Sequence, residues 1–521
     1  MTISRTRRLR RLSASTAGVI AAALALSGCL YAAIPVEGSQ PTGPGPTAAP
    51  DVSGIDEDLI PFYSQVLEWS SCGGPFDCTT VTAPLDWQNP TQGEIELAVI
   101  RKQADSGQPQ GSLLTNPGGP GASGVGFIRD SVSFAVGADL QDAFDVIGFD
   151  PRGVGESTAV QCFDPGDMDK YLFDIPANRR GTDAWRDELL AADKIFGQAC
   201  EANSNGILKF INTEFAARDM DLLRAVLGDQ KLNYLGYSYG TFLGATYAKL
   251  YPERVGRLVL DGAIDPSVSG ADVSVTQAAG FESALRAYMA DCLVTDGCPF
   301  AGTVDEAMAD LGSLFQRVDS RPMVGSDGRK LGGDTMLTAI VTPLYSQESW
   351  PSLTSMLTAT LEGDPNPGLQ LADFYYDRVD GEYLDNSYEA FSAYNCMDYP
   401  DDSTPEQEKA NDARIQKEAP TIAAYWDSPD GCSVWPYPPT GIREKIAAEG
   451  ADPIVVVGTT NDPATPYQWS VALAEQLSSG VLVTRVGEGH TGYNKGNSCV
   501  DEAVENYLLD GTVPQDGLRC E

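Results

Sequence analysis

Apolar positions along the chain recur with two periods, and the switch between them divides it. Residues 94–101 alternate, with Ile95, Leu97 and Val99 on one side, as a half-buried strand does. Early strands are also expected within 66–87. Short continuous apolar runs follow at Leu113-Leu114, 144–149, 232–235 and 257–261, the mark of strands covered on both faces. Before the third run, Phe215, Met220, Leu222, Leu223, Val226 and Leu227 recur at helical spacing, with Thr213 read as the cap and Gly228 as the stop. A second helix is expected from about Thr241. This succession has the βαβ rhythm of a parallel, doubly wound sheet.

From about residue 265 to 450 the strand signals fade. Helical patterns take over at 277–293, 304–318, 334–341, 350–361 and 406–417. Strand runs then return at 453–458 and 481–486, and a helix over 500–509 closes the pattern. Because the sheet rhythm resumes, the reading is an α/β domain made of residues 55–264 and 451–521, with a mainly helical cap, 265–450, inserted into it. An independent second domain is the alternative.

The first 54 residues have neither period. Arg5, Arg7, Arg8, Arg10 and Arg11 precede an apolar run from Ala17 to Leu26, then Leu26-Ser27-Gly28-Cys29. A basic start, a short apolar stretch and small residues before a Cys predict a lipoprotein signal over 1–28, with Cys29 lipidated. The run is short for a spanning helix. Residues 29–54, rich in Pro, Gly and Ala, then read as a tether. These features predict an exported protein of the cell envelope, anchored by lipid to the outer face of the cytoplasmic membrane.

Charge and cysteines narrow the partners. With 73 Asp and Glu against 35 Lys and Arg, the chain carries a formal charge of -38. That argues against nucleic acid and against an anionic membrane surface as partner, leaving the lipid anchor as the membrane contact. Some of these carboxylates suit a cationic substrate group such as an N-terminal amine. Beyond Cys29, ten cysteines remain: Cys72, Cys78, Cys162, Cys200, Cys292, Cys298, Cys396, Cys432, Cys499 and Cys520. In an exported protein an even set reads as five disulfides. Spacing alone does not derive their connectivity, although the short separations favour pairing in sequence. With one His in the chain and no C-x-x-C pair, neither a metal site nor a cofactor is expected.

The candidate chemistry lies at the ends of the apolar runs. Gly236-Tyr237-Ser238-Tyr239-Gly240 is a G-x-S-x-G turn between a strand and a helix. That pattern is weak alone and strong in this setting, where the turn projects Ser from the strand end. Asn116-Pro117-Gly118-Gly119-Pro120-Gly121 follows an earlier strand and exposes backbone N–H groups, while no Lys-Ser/Thr follows for a phosphate loop. The segment 150–157 reads as structural turn chemistry, since Asp-Pro and paired Gly set its geometry. A Ser nucleophile needs a base, and His490, in Gly487-Glu488-Gly489-His490-Thr491-Gly492, is the only His available. The orienting acid is expected between Ser and His in chain order. Asp462, in the turn after 453–458, is favoured over Asp261, which ends the run 257–261.

NPGGPG, FDPRGVGES, NYLGYSYGT, the Cys396 and Cys432-Ser433-Val434-Trp435-Pro436 segments, TTNDPATP and GEGHTG with Cys499 together resemble one family. It is the secreted bacterial tripeptidyl aminopeptidases, in the prolyl-iminopeptidase branch of the α/β-hydrolase serine peptidases. The resemblance runs from about residue 60 to the C-terminus. With the Cys29 signal it extends to mycobacterial cell-envelope hydrolases of the group, described as proteases and as carboxylesterases. It implies an α/β-hydrolase fold, a catalytic set of Ser238, His490 and Asp462, and an oxyanion hole from the backbone N–H groups of Tyr239 and Gly119. Prolyl iminopeptidases begin the oxyanion turn with His-Gly-Gly-Pro-Gly. Pro117 stands here for that His, which argues against strict proline specificity.

The expected activity is removal of short peptides from free N-termini through an acyl-enzyme. An esterase, lipase or endopeptidase with the same residues is the alternative, and a solute-binding lipoprotein the distant one. For the substrate amine, Asp398 is the favoured anchor, because a 396–432 disulfide would hold it rigid and Asp401 and Asp402 follow it.

Overall fold

The computed structural model describes residue 52 and residues 54–400, 404–426 and 429–521. The expected signal, Cys29, most of the tether, Asp401 and Asp402 lie outside the described residues.

A ten-stranded sheet organises the chain. Strands β1 (Ser70–Gly73), β2 (Phe76–Pro84) and β3 (Glu94–Lys102) form its antiparallel end. The others, β4 (Ser112–Asn116), β5 (Asp145–Phe149), β6 (Leu232–Tyr237), β7 (Val255–Asp261), β8 (Ile454–Asn461), β9 (Gly480–Glu488) and β10 (Leu518–Cys520), run parallel to one another. Their spatial order is β1-β2-β3-β5-β4-β6-β7-β8-β9-β10. This is the α/β arrangement the two-sided apolar runs predict. Alternate residues of one strand serve opposite faces, as the period of two requires. Leu113, Leu235, Val455 and Val457 pack with Ile128 of helix α1 (Gly124–Ala135) and with Val500, Val504 and Leu508 near the C-terminus. Leu114, Leu258, Leu260 and Val456 face the opposite side.

Four more helices lie between β5 and β7. They are α2 (Pro165–Phe173), α3 (Asp183–Asn203), α4 (Thr213–Val226) and α5 (Tyr239–Leu250). The cap follows β7 with α6 (Gly270–Cys292), α7 (Val304–Ser320), α8 (Gly333–Leu344), α9 (Trp350–Glu362), α10 (Asn366–Tyr375), α11 (Ser387–Asp398) and α12 (Pro405–Glu418). It has its own apolar core, in which Phe281, Leu285, Leu311, Phe315, Ile340, Leu353 and Met356 are buried together. The helix α13 (Tyr467–Gln476) joins β8 to β9, and α14 (Ser498–Asp510) precedes β10.

Two features of the cap differ from the sequence reading. Helix α11 packs into the sheet domain's core rather than the cap's, through Ala390, Ala393 and Tyr394. Helices α2 and α3, which precede β6 in the chain, lie against the cap. Arg378 makes two bonds of 2.7 Å to Asp169 of α2, and Arg180 bonds Asp334 at 2.6 Å. Phe173 clusters with Leu369 and Ala372 of α10. The apolar pattern marks α3 weakly, because only Trp185, Phe196, Gly197 and Cys200 along its 21 residues are buried. Phe196 of α3 packs against the rings of Tyr388 and Trp435, which lie far along the chain.

The ten cysteines form the disulfides 72–78, 162–200, 292–298, 396–432 and 499–520. The 162–200 bridge ties the segment after β5 to α3, and 396–432 ties α11 to the 3-10 turn Gly431–Val434. Loops of this length contribute about 3–4 kcal/mol each when closed covalently. Reduction is therefore expected to lower the melting temperature of a protein lacking Cys29. Alkylation of that protein under denaturing, non-reducing conditions should mark no thiol, and two or more marked thiols would contradict the pairing.

Candidate active site

The site is built on the carboxyl ends of the central parallel strands, where an open α/β sheet binds its ligands. At the end of β6 the chain turns straight into α5, with Ser238 as the one-residue corner. Its φ of 55° and ψ of -124° are forced on a residue with a side chain, at a cost of about 1–3 kcal/mol. The helix therefore begins at Tyr239, two residues earlier than its apolar pattern suggests. The flanking glycines are required by contact. A Cβ at Gly236 would lie 2.5 Å from the Gly240 carbonyl oxygen, and one at Gly240 would lie 2.9 Å from the Asn116 carbonyl oxygen.

Asn116 ends β4, next to Gly236 in the sheet register, so the Gly-rich turn lies beside the corner. Gly118 is in contact with it: a Cβ there would meet the Tyr237 carbonyl oxygen at 2.6 Å and the Ser238 Cβ at 2.8 Å. Its own N–H donates to Asn116 Oδ1 at 3.0 Å. The N–H groups of Gly119 and of Tyr239, the first residue of α5, have no acceptor among the described residues. Free donors flanking the Ser238 side chain, one at a helix N-terminus, suit a developing oxyanion. Asp150 supports the turn: Oδ1 accepts from the Ser123 hydroxyl at 2.6 Å and the Val125 N–H at 3.0 Å, while Oδ2 accepts from the Glu156 N–H at 2.8 Å. The 150–157 segment is thus structural.

His490 follows β9, and its Nδ1 lies 2.9 Å from both carboxylate oxygens of Asp462. Asp462 itself is 2% exposed. Oδ1 accepts from the N–H groups of Ala464 and Thr465 at 3.0 and 2.8 Å. Oδ2 accepts from the Thr491 N–H at 3.0 Å and the Thr465 hydroxyl at 3.1 Å. A carboxylate can only accept, so His490 Nδ1 carries the proton and Nε2 keeps a lone pair. Nε2 is buried and has no hydrogen-bond partner among the described residues.

Ser238 and His490 are linked through Asp261. The Ser238 N–H donates to the Asp261 carbonyl at 2.9 Å. A Cβ on the next residue, Gly262, would lie 3.2 Å from His490 Cε1.

Asp261 does not reach the imidazole Nδ1. Its carboxylate accepts from the N–H groups of Gly492 and Tyr493, at 2.8 Å each, and so pins the loop that carries His490. Complete burial raises its pKa to about 6. The structure thus separates the two candidate acids by contact, with Asp462 on the ring and Asp261 on the loop.

Asp398 does not fit the role of amine anchor. It is 3% exposed, and both oxygens are engaged inside the body, accepting from the Thr213 N–H at 2.9 Å and its hydroxyl at 2.6 Å. The spacing after Cys396 did not show that the last residue of α11 turns inward onto the start of α4. In the same place Thr213, read as a cap, is the first helical residue, and Asn212 is the N-cap, accepting from the Phe215 N–H at 2.8 Å.

Two contacts escaped the sequence. Thr465 Oγ1 sits 3.2 Å from His490 Nδ1, for which the only signal was a Thr three residues after the acid. Tyr345, the C-cap residue that follows α8, accepts the His490 N–H on its carbonyl at 2.8 Å and stands edge-on to the imidazole, ring centres 5.4 Å apart. No local pattern marks a cap residue as a neighbour of the base.

The family described as "alpha/beta hydrolase fold" matches residues 111–311, and "TAP-like protein" matches residues 419–520. The chain is 34% identical to serine protease Hip1 of Mycobacterium tuberculosis over 544 residues, covering 100% of both chains. It is 38% identical to carboxylesterase B of the same species over 499 residues, covering 91% of this chain and 95% of the relative. With tripeptidyl aminopeptidase of Streptomyces lividans the identity is 28% over 470 residues, covering 87% and 86%.

Proposed function

Because the chain belongs to the α/β-hydrolase family of serine hydrolases with a TAP-like C-terminal part, we propose that it is an exported, lipid-anchored peptidase releasing short peptides from free N-termini. The observation that carries the reaction class is the His490 imidazole, fixed through Nδ1 by Asp462 and unpaired at Nε2. In this reading Ser238 Oγ attacks the scissile carbonyl while its proton passes to Nε2. The tetrahedral oxyanion is received by the Tyr239 and Gly119 N–H groups. His490 then protonates the leaving amine, the acyl-enzyme forms, and water reverses the sequence to release the peptide. Asp462 holds the tautomer and stabilises the imidazolium. No metal or cofactor takes part.

Support for a peptide substrate comes from the relatives named as a serine protease and a tripeptidyl aminopeptidase, and from the cap. Tyr345 closes on the His490 side, and α11 closes on the oxyanion turn, where a Cβ on Gly121 would lie 2.5 Å from the Ser387 carbonyl oxygen. A covered site limits how far a chain extends past the scissile bond. The relative named carboxylesterase B supports the second reading, an esterase with the same machinery. Export and anchoring rest on the Arg-rich start and Cys29.

A tripeptide anilide, its N-acetylated form and an acyl ester separate these readings. The peptidase reading expects kcat/KM on the free-amine anilide to exceed that on the blocked form by at least tenfold. Equal or better cleavage of the blocked peptide would point to an endopeptidase, and turnover of the ester alone to an esterase. A solute-binding protein would not be labelled by a fluorophosphonate at all.

A further inference from the structure

The carboxylate of Asp398 is joined by side chains to the nucleophile's own helix, through Thr213 and Tyr239. Thr213 Oγ1 donates to Asp398 Oδ2 at 2.6 Å and is in turn hydrogen-bonded to the Tyr239 hydroxyl. The three residues are 3%, 2% and 5% exposed. An ionised carboxylate only accepts, so the Thr213 hydroxyl is committed as donor to Asp398 and must accept from Tyr239. Tyr239 supplies one of the two free N–H groups beside Ser238, so its side-chain anchor bears on where that N–H points.

The anchor is itself held. The N–H groups of Thr440 and Gly441 donate to the Met397 carbonyl at 2.8 Å, and a Cβ on Gly441 would lie 2.3 Å from the Asp398 carbonyl oxygen. Beside the Tyr239 ring, Tyr394 of α11 lies 5.7 Å away and donates its hydroxyl to the Arg152 carbonyl at 2.9 Å. Arg152 is wholly buried and doubly bonded to Asp219, at 2.7 Å each. The other end of α11 rests on Gly121, next but one to Gly119, through the Ser387 carbonyl and the Phe391 N–H. One cap helix thus touches the supports of both oxyanion donors.

We infer that Asp398 is a positioning residue for the oxyanion hole, acting through the Thr213 hydroxyl on the Tyr239 side chain, and that α11 couples the cap to both donors. This rests on the acyl-enzyme reading given above. Breaking the chain displaces a donor without touching the substrate, so it lowers the rate of attack and leaves ground-state binding alone. Displacements on the ångström scale cost up to about a hundredfold, and loss of a donor outright costs about 10²–10³.

The test uses the folded protein, with active sites counted by fluorophosphonate burst and Ser238 confirmed as the labelled residue. Thr213→Val keeps the shape and removes the hydroxyl. It should slow fluorophosphonate inactivation and lower kcat on p-nitrophenyl acetate by about 10–100-fold per titrated site, with KM changed less than twofold. Tyr239→Phe should do the same, and the double variant should be no worse than either single one, since both break one chain. Thr213→Ser should restore the rate. Asp398→Asn is expected to match Thr213→Val, and if it fails to fold the other variants decide. An unchanged rate per titrated site in Thr213→Val and Tyr239→Phe, with only a lower melting temperature, would show a purely structural role and overturn the inference. Multiplicative losses in the double variant would overturn it too. Absence of wild-type labelling at Ser238 would remove the acyl-enzyme reading itself, a result distinct from either.

Discussion

Ser238→Ala should lower turnover by about a million-fold, the scale of loss when a triad nucleophile is deleted, and should abolish fluorophosphonate labelling. The fold should survive. The corner at φ 55° is imposed by β6 and α5, and Ala suffers that strain no more than Ser does. No hydrogen bond of the Ser238 hydroxyl holds the turn, since the helix cap has no side-chain bond there. The melting temperature should therefore stay within a few degrees of wild type. Labelling that persists at another Ser would remove Ser238 from the mechanism.

Asp462→Asn and Asp261→Asn should separate cleanly, although both acids are buried at neighbouring strand ends. Replacing Asp462 presents a donor to His490 Nδ1 or forces the wrong tautomer, and in a serine triad that costs about 10⁴ in kcat. His490→Gln should be at least as severe, because no second His can act as base. Asp261→Asn should cost less than about tenfold in kcat, for its carboxylate meets only the Gly492 and Tyr493 N–H groups and the amide keeps one acceptor.

Its mark should be on stability against pH. Burial raises the folded-state pKa of Asp261 from the ordinary carboxylate value of 3.8 to about 6. The native state therefore binds the proton more tightly, and this group's contribution to stability declines as pH rises from about 4 to about 6. That slope should be missing from the Asn variant in melting curves across the same range. A large kcat loss in Asp261→Asn with a small one in Asp462→Asn would exchange the two roles.

The parts of the site legible in the sequence are those where backbone geometry dictates residue type. Gly236 and Gly240 are demanded by contacts of 2.5 and 2.9 Å that any Cβ would violate, so the elbow is written in the chain. The apolar runs of β4 to β9 follow from burial on both faces of a parallel sheet, and they locate the strand ends on which Ser238, Asp462 and His490 sit. A single His left no competitor for the base. Charge and spacing carried less. Asp398 looks from the sequence like a rigid acidic group offered to a substrate, because an inward and an outward carboxylate at a helix end have the same local pattern. Helix α3 shows no strong stripe because it is covered on little of its surface.

What the sequence determined by itself, then, is the sheet and the corners at its strand ends, which depend on the residues in place and their immediate neighbours. Only the tertiary structure decided which carboxylate meets the imidazole, that Asp398 is joined through Thr213 to Tyr239, that Tyr345 closes over His490, and that α2 and α3 belong beside the cap. Each of these is a contact between residues far apart in the chain: Asp398 and Thr213 are 185 positions apart. Hydrogen bonding of that kind is set by where whole elements pack, and period and spacing along one segment carry no information about it.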